Sequence, residues 1–423
     1  MKVAVIGSGG REHAIIKKIK QSPKCSKLYA IPGNGGMGQD ATCVNIGVME
    51  FDKIKEFVLQ EQIDFCVVAP DDPLAGGLVD ILEDAGVKCF GPRANAAIIE
   101  ASKVFSKNLM KKYNIPTAKY EVFSSSVDAL EYLKQNEDYP IVLKADGLAL
   151  GKGVIIAETQ KEALQAVKEM MEENKFGNSG KTIVVEEFLS GPEVSVLAFT
   201  DGNIVVPMVS SMDHKRIGDN DTGLNTGGMG TVAPNPYYTK QVEKECMENI
   251  FLPTINAMNK EGRKFKGCLY FGLMITPKGT KVIEYNCRFG DPETQVVLPL
   301  LKSDLLEIML AVSQENLTKE MVEFSSDSAC CVIMASNGYP QSYQKGFEIT
   351  VGDITGEVYF AGAKLQDGKV LSNGGRVLGV TNTAKDLKSA IELSYKDVKK
   401  INFDNAYFRT DIGQKALKAN GDK

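Results

Sequence analysis

The run Val282-Ile283-Glu284-Tyr285-Asn286-Cys287-Arg288-Phe289-Gly290-Asp291-Pro292-Glu293 puts a carboxylate, an amide and a guanidinium at alternate positions. Side chains on a β-strand alternate between faces, so Glu284, Asn286 and Arg288 are expected on one face, with Ile283, Tyr285 and Cys287 toward the core. A carboxylate and an amide oxygen two residues apart suit a hard divalent cation whose other ligands are phosphate oxygens. Arg288 beside them could clamp a carboxylate or a phosphoryl group. An edge strand with a wet polar face is the plain alternative.

A second segment, Lys144-Ala145-Asp146-Gly147-Leu148-Ala149-Leu150-Gly151-Lys152-Gly153, follows the apolar run Ile141-Val142-Leu143. It is not a Walker A loop: the glycine spacing is short, and Gly153 stands where Ser or Thr belongs. It reads as strand, glycine loop, strand. Lys144 would be a fixed charge for a triphosphate, and the loop with Gly151, Lys152 and Gly153 a lid over it. Glu186-Glu187-Phe188-Leu189 ends the next strand, where backbone groups could read an adenine edge. Glu193 comes next, placed to take two ribose hydroxyls.

The N-terminal run Val3-Ala4-Val5-Ile6 leads into Gly7-Ser8-Gly9-Gly10-Arg11-Glu12-His13. Glycines let the backbone approach an anion, and the amides opening a helix then bind it. The dinucleotide fingerprint fails here, because Glu12 holds the third glycine position and no acid ends the second strand. A phosphate-bearing small substrate fits better than a nicotinamide cofactor. Pro32-Gly33-Asn34-Gly35-Gly36 would form the opposite wall of the same crevice. Residues 213–230, with Asp213, His214 and Lys215, are too polar and glycine-rich for a core element. Long ordered loops of this kind are usually functional.

These segments need elements to hold them. A chain of 423 residues exceeds one hydrophobic core, so two to four packed units are expected. Residues 1–102 alternate strands (2–6, 27–31, 64–69, 88–90) with helices (12–20, 51–61, 74–85), which implies a doubly wound parallel sheet. A helix over 101–113 leaves this unit, and 103–120 links it to a small lobe. That lobe spans residues 121–190, with strands at 141–144, 154–157 and 182–186 and a helix over 161–174. Residues 191–326 form a larger α+β lobe opening on a strand at 193–200, and 327–423 a small β-rich domain. The fold class is therefore α/β and α+β multidomain.

Composition narrows function by exclusion. The net charge of −5 gives no global field for nucleic acid. Nine scattered cysteines and two histidines make a zinc or iron site improbable, and neither His13 nor His214 lies near a nucleophile-elbow sequence. No stretch is long and apolar enough to span a bilayer or to read as a secretory signal. A cytoplasmic protein is expected, without nucleic-acid or membrane partners.

Taken together, Lys144 with the loop to Gly153, Glu186 to Leu189 with Glu193, and Glu284-x-Asn286 resemble the ATP-grasp superfamily. The runs 7–13, 213–230, 288–293, 373–380 and 407–413, in that order, resemble the glycinamide ribonucleotide synthetases over essentially the whole chain. That resemblance implies an N-terminal doubly wound domain, a two-lobed ATP-grasp fold and a C-terminal domain. It implies an early purine-synthesis reaction in which ATP, glycine and 5-phosphoribosylamine give glycinamide ribonucleotide, ADP and phosphate. It also implies Mg2+ or Mn2+ on Glu284 and Asn286, ATP phosphates on Lys103 and Lys144, adenine on 186–189 and ribose on Glu193. The ribose phosphate would go to Gly7, Ser8, Gly9, Gly10 and Arg11 with Pro32, Gly33 and Asn34. Asp213, Lys215, Arg288 and Asp291, with Gly290, would line the glycine and amine site. A monomer or weak dimer is expected. Departures from the family pattern are Asp71 for a glutamate, and Phe360 and Ala363 where histidine and threonine are common. Another ATP-grasp ligase and a non-catalytic ATP-binding relative are the rival readings.

Overall fold

The computed structural model of the chain describes residues 1–148, 153–173 and 177–421. The N-terminal unit runs β1 (Lys2–Gly7), α1 (Gly10–Lys20), β2 (Lys27–Pro32), β3 (Thr42–Cys43), α2 (Phe51–Gln60), β4 (Phe65–Val68), α3 (Asp71–Ala75), α4 (Leu78–Asp84) and β5 (Lys88–Phe90). Its sheet is wholly parallel, in the order β3–β2–β1–β4–β5. The strand order reverses between β1 and β4, so a crevice lies beyond their carboxyl ends, where ligands of doubly wound sheets bind. Gly7 ends β1 there, and Asp71 follows β4. The helix expected over 74–85 is broken: Gly77 adopts a φ of 88°, which interrupts helical geometry and splits the segment into α3 and α4.

Two helices, α5 (Ala94–Ala101) and α6 (Lys103–Lys112), meet at Ser102, whose hydroxyl accepts the Phe105 amide and caps α6. The small lobe comes next, with β6 (Tyr120–Phe123), α7 (Ser126–Gln135), β7 (Ile141–Ala145), β8 (Val154–Ala157), α8 (Gln160–Val167) and β9 (Ile183–Glu187). Its antiparallel sheet, β6–β9–β7–β8, packs around its own core of Leu133, Leu143, Val167 and Val185.

The larger lobe contains β10 (Glu193–Thr200), β11 (Val205–Pro207), β12 (Met212–Asp213), β13 (Arg216–Gly218), β14 (Thr222–Asn225), β15 (Gly230–Ala233), α9 (Lys240–Cys246), α10 (Leu252–Lys260), β16 (Gly267–Thr276), β17 (Gly279–Asn286), α11 (Thr294–Leu300) and α12 (Leu305–Ser313). Its sheet is β11–β10–β16–β17. It shares continuous cores with the N-terminal unit: Ile6 and Ile31 cluster with Phe271 and Val282. The last part supplies β18 (Ser328–Ser336), β19 (Thr350–Val351), β20 (Glu357–Phe360), β21 (Ala363–Gln366), β22 (Lys369–Ser372), β23 (Arg376–Ala384) and α13 (Leu387–Val398). Its main sheet, β12–β15–β18–β23–β20, takes two strands from ahead of residue 327. Strands and sheets thus tie the end of the chain to the 213–230 segment. Among the described residues no helix is long and apolar enough to cross a membrane.

The loop after β2 is wedged against the last domain. A Cβ on Gly35 would lie 2.1 Å from the backbone carbon of Lys364, and one on Gly36 would lie 2.0 Å from the Phe360 ring. Neither neighbour can yield without moving a strand end. We therefore expect Gly35→Ala to destabilise the chain by about 1–3 kcal/mol through overpacking, measured as a lower urea midpoint. An unchanged midpoint would show that the two domains separate freely.

Candidate active site

Two walls of the crevice meet at the first glycine turn. Gly7 has a φ of 128°, and a Cβ there would strike the Glu12 side chain at 2.4 Å. The turn must be glycine so that Glu12 can fold back, where its carboxylate accepts the Gly9 amide at 2.6 Å. Arg11 brings its amide to the turn but not its guanidinium, which is held by Glu12 and donates to the Phe289 carbonyl at 3.2 Å. Opposite, Pro32, Gly33 and Asn34 lie half-buried, and the Asn34 amide donates to the carbonyls of Ser8 and Phe360, each at 2.8 Å.

A second group of residues lies where the small and larger lobes meet. Lys144 on β7 is buried, and its ammonium donates to the Ile283 carbonyl at 3.0 Å and pairs with Glu186 at 3.1 Å. That carbonyl is available because β17 bulges: Gly272 on β16 faces Glu284, while the next residue, Leu273, faces Val282. The bulge corrects the expected alternation. Ile283 is the extra residue and is only half-buried, while Val282 and Tyr285 fill the core beside it. Lys103 reaches in from α6 and donates to the Gly147 carbonyl at 2.9 Å. Gly153 is buried. Gly151 and Lys152 lie outside the described residues.

Strand β9 delivers the two glutamates to opposite faces. Glu186 turns inward, and Glu187 turns outward to Lys281 at 2.6 Å. Phe188 is exposed and Leu189 half-buried at the strand end. Glu193, also exposed, pairs with Lys215 at 2.7 Å.

Glu284 makes no hydrogen bond or ion pair among the described residues. Burial acts to raise its pKa, but the charges of Lys215, Lys144, Lys103 and Arg288 overcome this and hold it below the ordinary carboxylate value. It is therefore an ionised carboxylate whose side chain has no partner among the described residues. The Asn286 amide oxygen accepts from Arg288 at 3.2 Å. Among the described residues no three His, Cys, Asp or Glu side chains converge as a metal cage. A cation on Glu284 and Asn286 would thus draw most of its shell from phosphate and water, the usual arrangement for magnesium. The pair fits such an ion.

Beyond Asn286 the chain turns through residues 288–293, and this turn is gripped from several sides. Arg288 pairs with Glu100 of α5 at 3.0 Å, and Glu100 also accepts the Cys287 amide at 2.7 Å. The Arg288 Nε is buried without a partner. Asp291 accepts the Arg11 amide at 3.4 Å and pairs with Arg376 at 3.4 Å. Gly290 is buried, and a Cβ there would lie 2.3 Å from Glu293. Glu293 accepts from the Ser195 hydroxyl, which also bonds the Tyr270 hydroxyl at 2.8 Å. Asp213 Oδ1 is buried and unpartnered. Burial, and next the negative charge of Glu293, push the Asp213 carboxyl well above its ordinary pKa. An unpaired donor on Arg288 and an unpaired acceptor on Asp213 suit a small substrate with a carboxylate and an amine.

The 213–230 loop is held by the end of the chain. Arg409 is buried and pairs with Asp221 at 3.0 Å and Asp411 at 2.8 Å, and it donates to the Arg216 carbonyl at 3.0 Å. The His214 ring donates from Nδ1 to the Gly230 carbonyl and accepts the Gly413 amide at Nε2.

The structure therefore brings most of the residues singled out in the sequence into two groups, one at the first glycine turn and one where β7, β9 and β17 meet, with Gly151 and Lys152 outside the described residues. It adds others that sequence reading passed over: Glu100, Lys107, Ser195, Tyr270, Glu293 and Arg376. Glu293 and Arg376 stand within motifs already noted, so position alone could have suggested them. Lys107 falls four residues after Lys103, on the same helix face, and that spacing was the only available signal.

This arrangement, a glycine-loop lobe over a sheet that ends in an acid–amide pair, is the ATP-grasp fold. The biotin carboxylase of Campylobacter jejuni, solved in complex with β,γ-ATP, shares it with a TM-score of 0.73 over 96% of this chain and 92% of its own, at 14% identity. Three family models match along the chain. They are phosphoribosylglycinamide synthetase, N domain (residues 1–100), its ATP-grasp (A) domain (101–294) and its C domain (329–415). The chain belongs to the phosphoribosylglycinamide synthetase family. It is 49% identical to the phosphoribosylamine–glycine ligase of Caldanaerobacter subterraneus subsp. tengcongensis, covering 97% of this chain and 99% of that one. It is 48% identical to the ligase of that name from Synechocystis, covering 99% and 100%. The crystal structure of phosphoribosylamine–glycine ligase from Thermotoga maritima superposes with a TM-score of 0.85 at 33% identity, over 97% of this chain and all of that one.

The buried His214 makes stability depend on pH. Its pKa is pushed down to about 4, chiefly by burial and then by the charge of Arg409, against an ordinary 6.5. Between those values the unfolded chain takes up a proton that the folded chain refuses. The stability present above pH 6.5 is lost as the pH falls toward 4, by up to about 3 kcal/mol. Urea unfolding at a series of pH values should show a shallower decline for His214→Gln than for the parent chain. Parallel declines would show that His214 does not titrate across this window.

Proposed function

We propose that the chain ligates glycine to 5-phosphoribosylamine at the expense of ATP, giving glycinamide ribonucleotide, ADP and phosphate in purine biosynthesis. The observation that carries this is the Glu284 carboxylate, whose side chain has no hydrogen bond or ion pair among the described residues and which the charges of Lys215, Lys144, Lys103 and Arg288 hold below the ordinary carboxylate value. Such a carboxylate would hold a cation that offsets the charge of a polyanion, near whatever Arg288 and Asp213 hold.

In this reading Lys103 and Lys144 contact the ATP phosphates, the backbone of residues 186–189 reads adenine, and Glu193 takes the ribose. Glu284 and Asn286 would hold Mg2+ or Mn2+, which supplies neutralisation of the phosphate charge when bound. Arg288 orients the glycine carboxylate, whose oxygen attacks the γ-phosphorus as the bond to ADP breaks, giving glycyl phosphate. Lys144, fixed by Glu186 and the Ile283 carbonyl, stabilises the moving phosphoryl charge without having to reorganise. The amine of phosphoribosylamine then attacks the glycyl carbonyl, phosphate leaves, and the nitrogen gives up a proton. The turn at residues 7–11 and the 32–35 loop hold the ribose phosphate. Asp213, Lys215 and Asp291 line the space between the two groups of residues. The lid expected over the acyl phosphate at 147–153 falls mostly on residues outside the described ones.

The functional division we propose is 1–102 for the sugar phosphate, 103–120 as a link, 121–190 and 191–326 for nucleotide and catalysis, and 327–423 as a clamp. We place the enzyme in the cytoplasm, as a monomer or weak dimer.

ADP release measured with Mg2+, glycine and freshly made phosphoribosylamine, omitting each in turn, tests the reading. Turnover should need both substrates. ADP formed with a different acid, or without the amine, would retain the ATP-grasp chemistry and reject these substrates. Lys144→Ala and Glu284→Ala should fold and lose roughly 10²–10³-fold in kcat. A near-normal rate in either would remove that residue from the mechanism.

A further inference from the structure

Lys107 lies deeper than either lysine placed on the phosphates. It is 2% exposed, against 4% for both Lys144 and Glu186. Its ammonium lies 2.8 Å from Glu186 Oε2 and donates to the Thr117 hydroxyl at 2.8 Å, with the Tyr120 ring at 5.8 Å. The other oxygen of Glu186 is 3.1 Å from the Lys144 ammonium. One buried carboxylate is thus shared by two buried ammonium groups, and the cluster carries a net charge of +1.

A buried carboxylate paired with a single lysine forms a neutral pair, and neutral pairs attract polyphosphate weakly. Charge removed from water is costly, so a cation kept in excess at such depth needs a reason. A second lysine on Glu186 supplies one, because it leaves the charge of Lys144 only partly cancelled. The hydrogen-bond geometry agrees. Lys107 is committed to Glu186, Thr117 and the face of Tyr120. Lys144 donates to the Ile283 carbonyl among the described residues, and its 3.1 Å contact with Glu186 Oε1 is an ion pair without hydrogen-bond geometry, so N–H groups of Lys144 are left over.

We propose that Lys107 is a positioning residue for the phosphate site: by holding Glu186 from behind, it leaves Lys144 oriented, only partly cancelled by Glu186, and available to the ATP polyphosphate. This rests on the reading of Lys144 as a phosphate contact. Burial also lowers the pKa of Lys107 to about 8, opposed by Glu186 and assisted by Lys144. The charged and titratable groups around it are Glu186 and Glu187 on β9, Lys144 on β7, Tyr120 on β6, and Lys103 and Lys111 on its own helix.

The test is calorimetric titration of ATP and of adenosine into the full chain, its Lys107→Met variant and a Lys107→Met/Glu186→Gln double variant. Methionine keeps the length and apolar stem of lysine and leaves Glu186 cancelling Lys144. ATP affinity should fall roughly tenfold or more in the single variant, while adenosine affinity is held. The double variant, which removes both charges, should recover most of the lost ATP affinity. Equal losses for ATP and adenosine would reduce Lys107 to a structural residue and overturn the proposal. So would an unchanged single variant, or a double variant no better than the single. Should the single variant not fold, the double variant decides alone. ATP affinity within about threefold of the parent supports the proposal, and a selective loss of ATP rejects it. Lys144→Met, run alongside, separates the two readings. No loss of ATP affinity there sinks the phosphate assignment itself. A loss there with none in Lys107→Met sinks only the role of Lys107.

Discussion

Asp291 lies between the two ends of the chain, with the amide of Arg11 on one side and the guanidinium of Arg376 on the other. Burial alone would raise its pKa, but those arginine charges keep it ionised. The same turn gives its Phe289 carbonyl to both Arg11 and Arg288, its Asp291 carbonyl to Arg376, and its Arg288 side chain to Glu100. One short turn after β17 is therefore the common reference for the crevice of the parallel sheet, the helix that leads into the small lobe, and the final domain. If Asp291 were neutral, its ion pair with Arg376 would be lost at the point where these parts meet.

The second constraint is charge. The site proposed for the nucleotide buries lysines at a density that a stability criterion alone would not favour, since each ammonium loses its hydration. The chain offsets this with carboxylates whose placement is asymmetric. Glu186 is fully enclosed and committed to lysines, whereas Glu284 is left without a partner among the described residues. Local rules of satisfaction are broken at Glu186 Oε1, Asp213 Oδ1 and Arg288 Nε, and such breaks are expected where a fold serves a site.

Much of this could be read from residues alone, because the signals were local. The apolar run ending at Gly7, the strand that begins at Glu193 and the alternation of Glu284 and Asn286 each depend on a few neighbouring side chains. What could not be read depends on partners far along the chain. The bulge at Ile283 exists because β16 and β17 differ by one residue in register, a property of the pair rather than of either strand. The break at Gly77 looks, in sequence, like a tolerable glycine inside a helix. Lys107 reads as an ordinary surface lysine on an amphipathic helix until Glu186, 79 positions on, is found beneath it. Glu100 is hidden for the same reason, with Arg288 as its distant partner.

The departures from the family pattern near residue 360 follow from the same geometry. Phe360 and Ala363 stand where histidine and threonine are common, yet the contacts made there to the N-terminal unit run through backbone. The Phe360 carbonyl accepts from Asn34, its amide donates to His13 Nδ1, and the Ala363 carbonyl accepts the Gly35 amide. Backbone groups are present whatever the side chain, so these substitutions leave the hydrogen bonds intact. The Phe360 ring adds a stacked contact with His13, with centroids 6.0 Å apart, in a place where a polar side chain would need its own partner. Burial, the leading influence on His13, lowers its pKa and keeps the ring neutral, which lets Nδ1 accept the amide while Nε2 donates to Asp40. The seam between the two ends of the chain is thus a backbone seam, tolerant of sequence on one side and dependent on Asn34, Gly35 and His13 on the other.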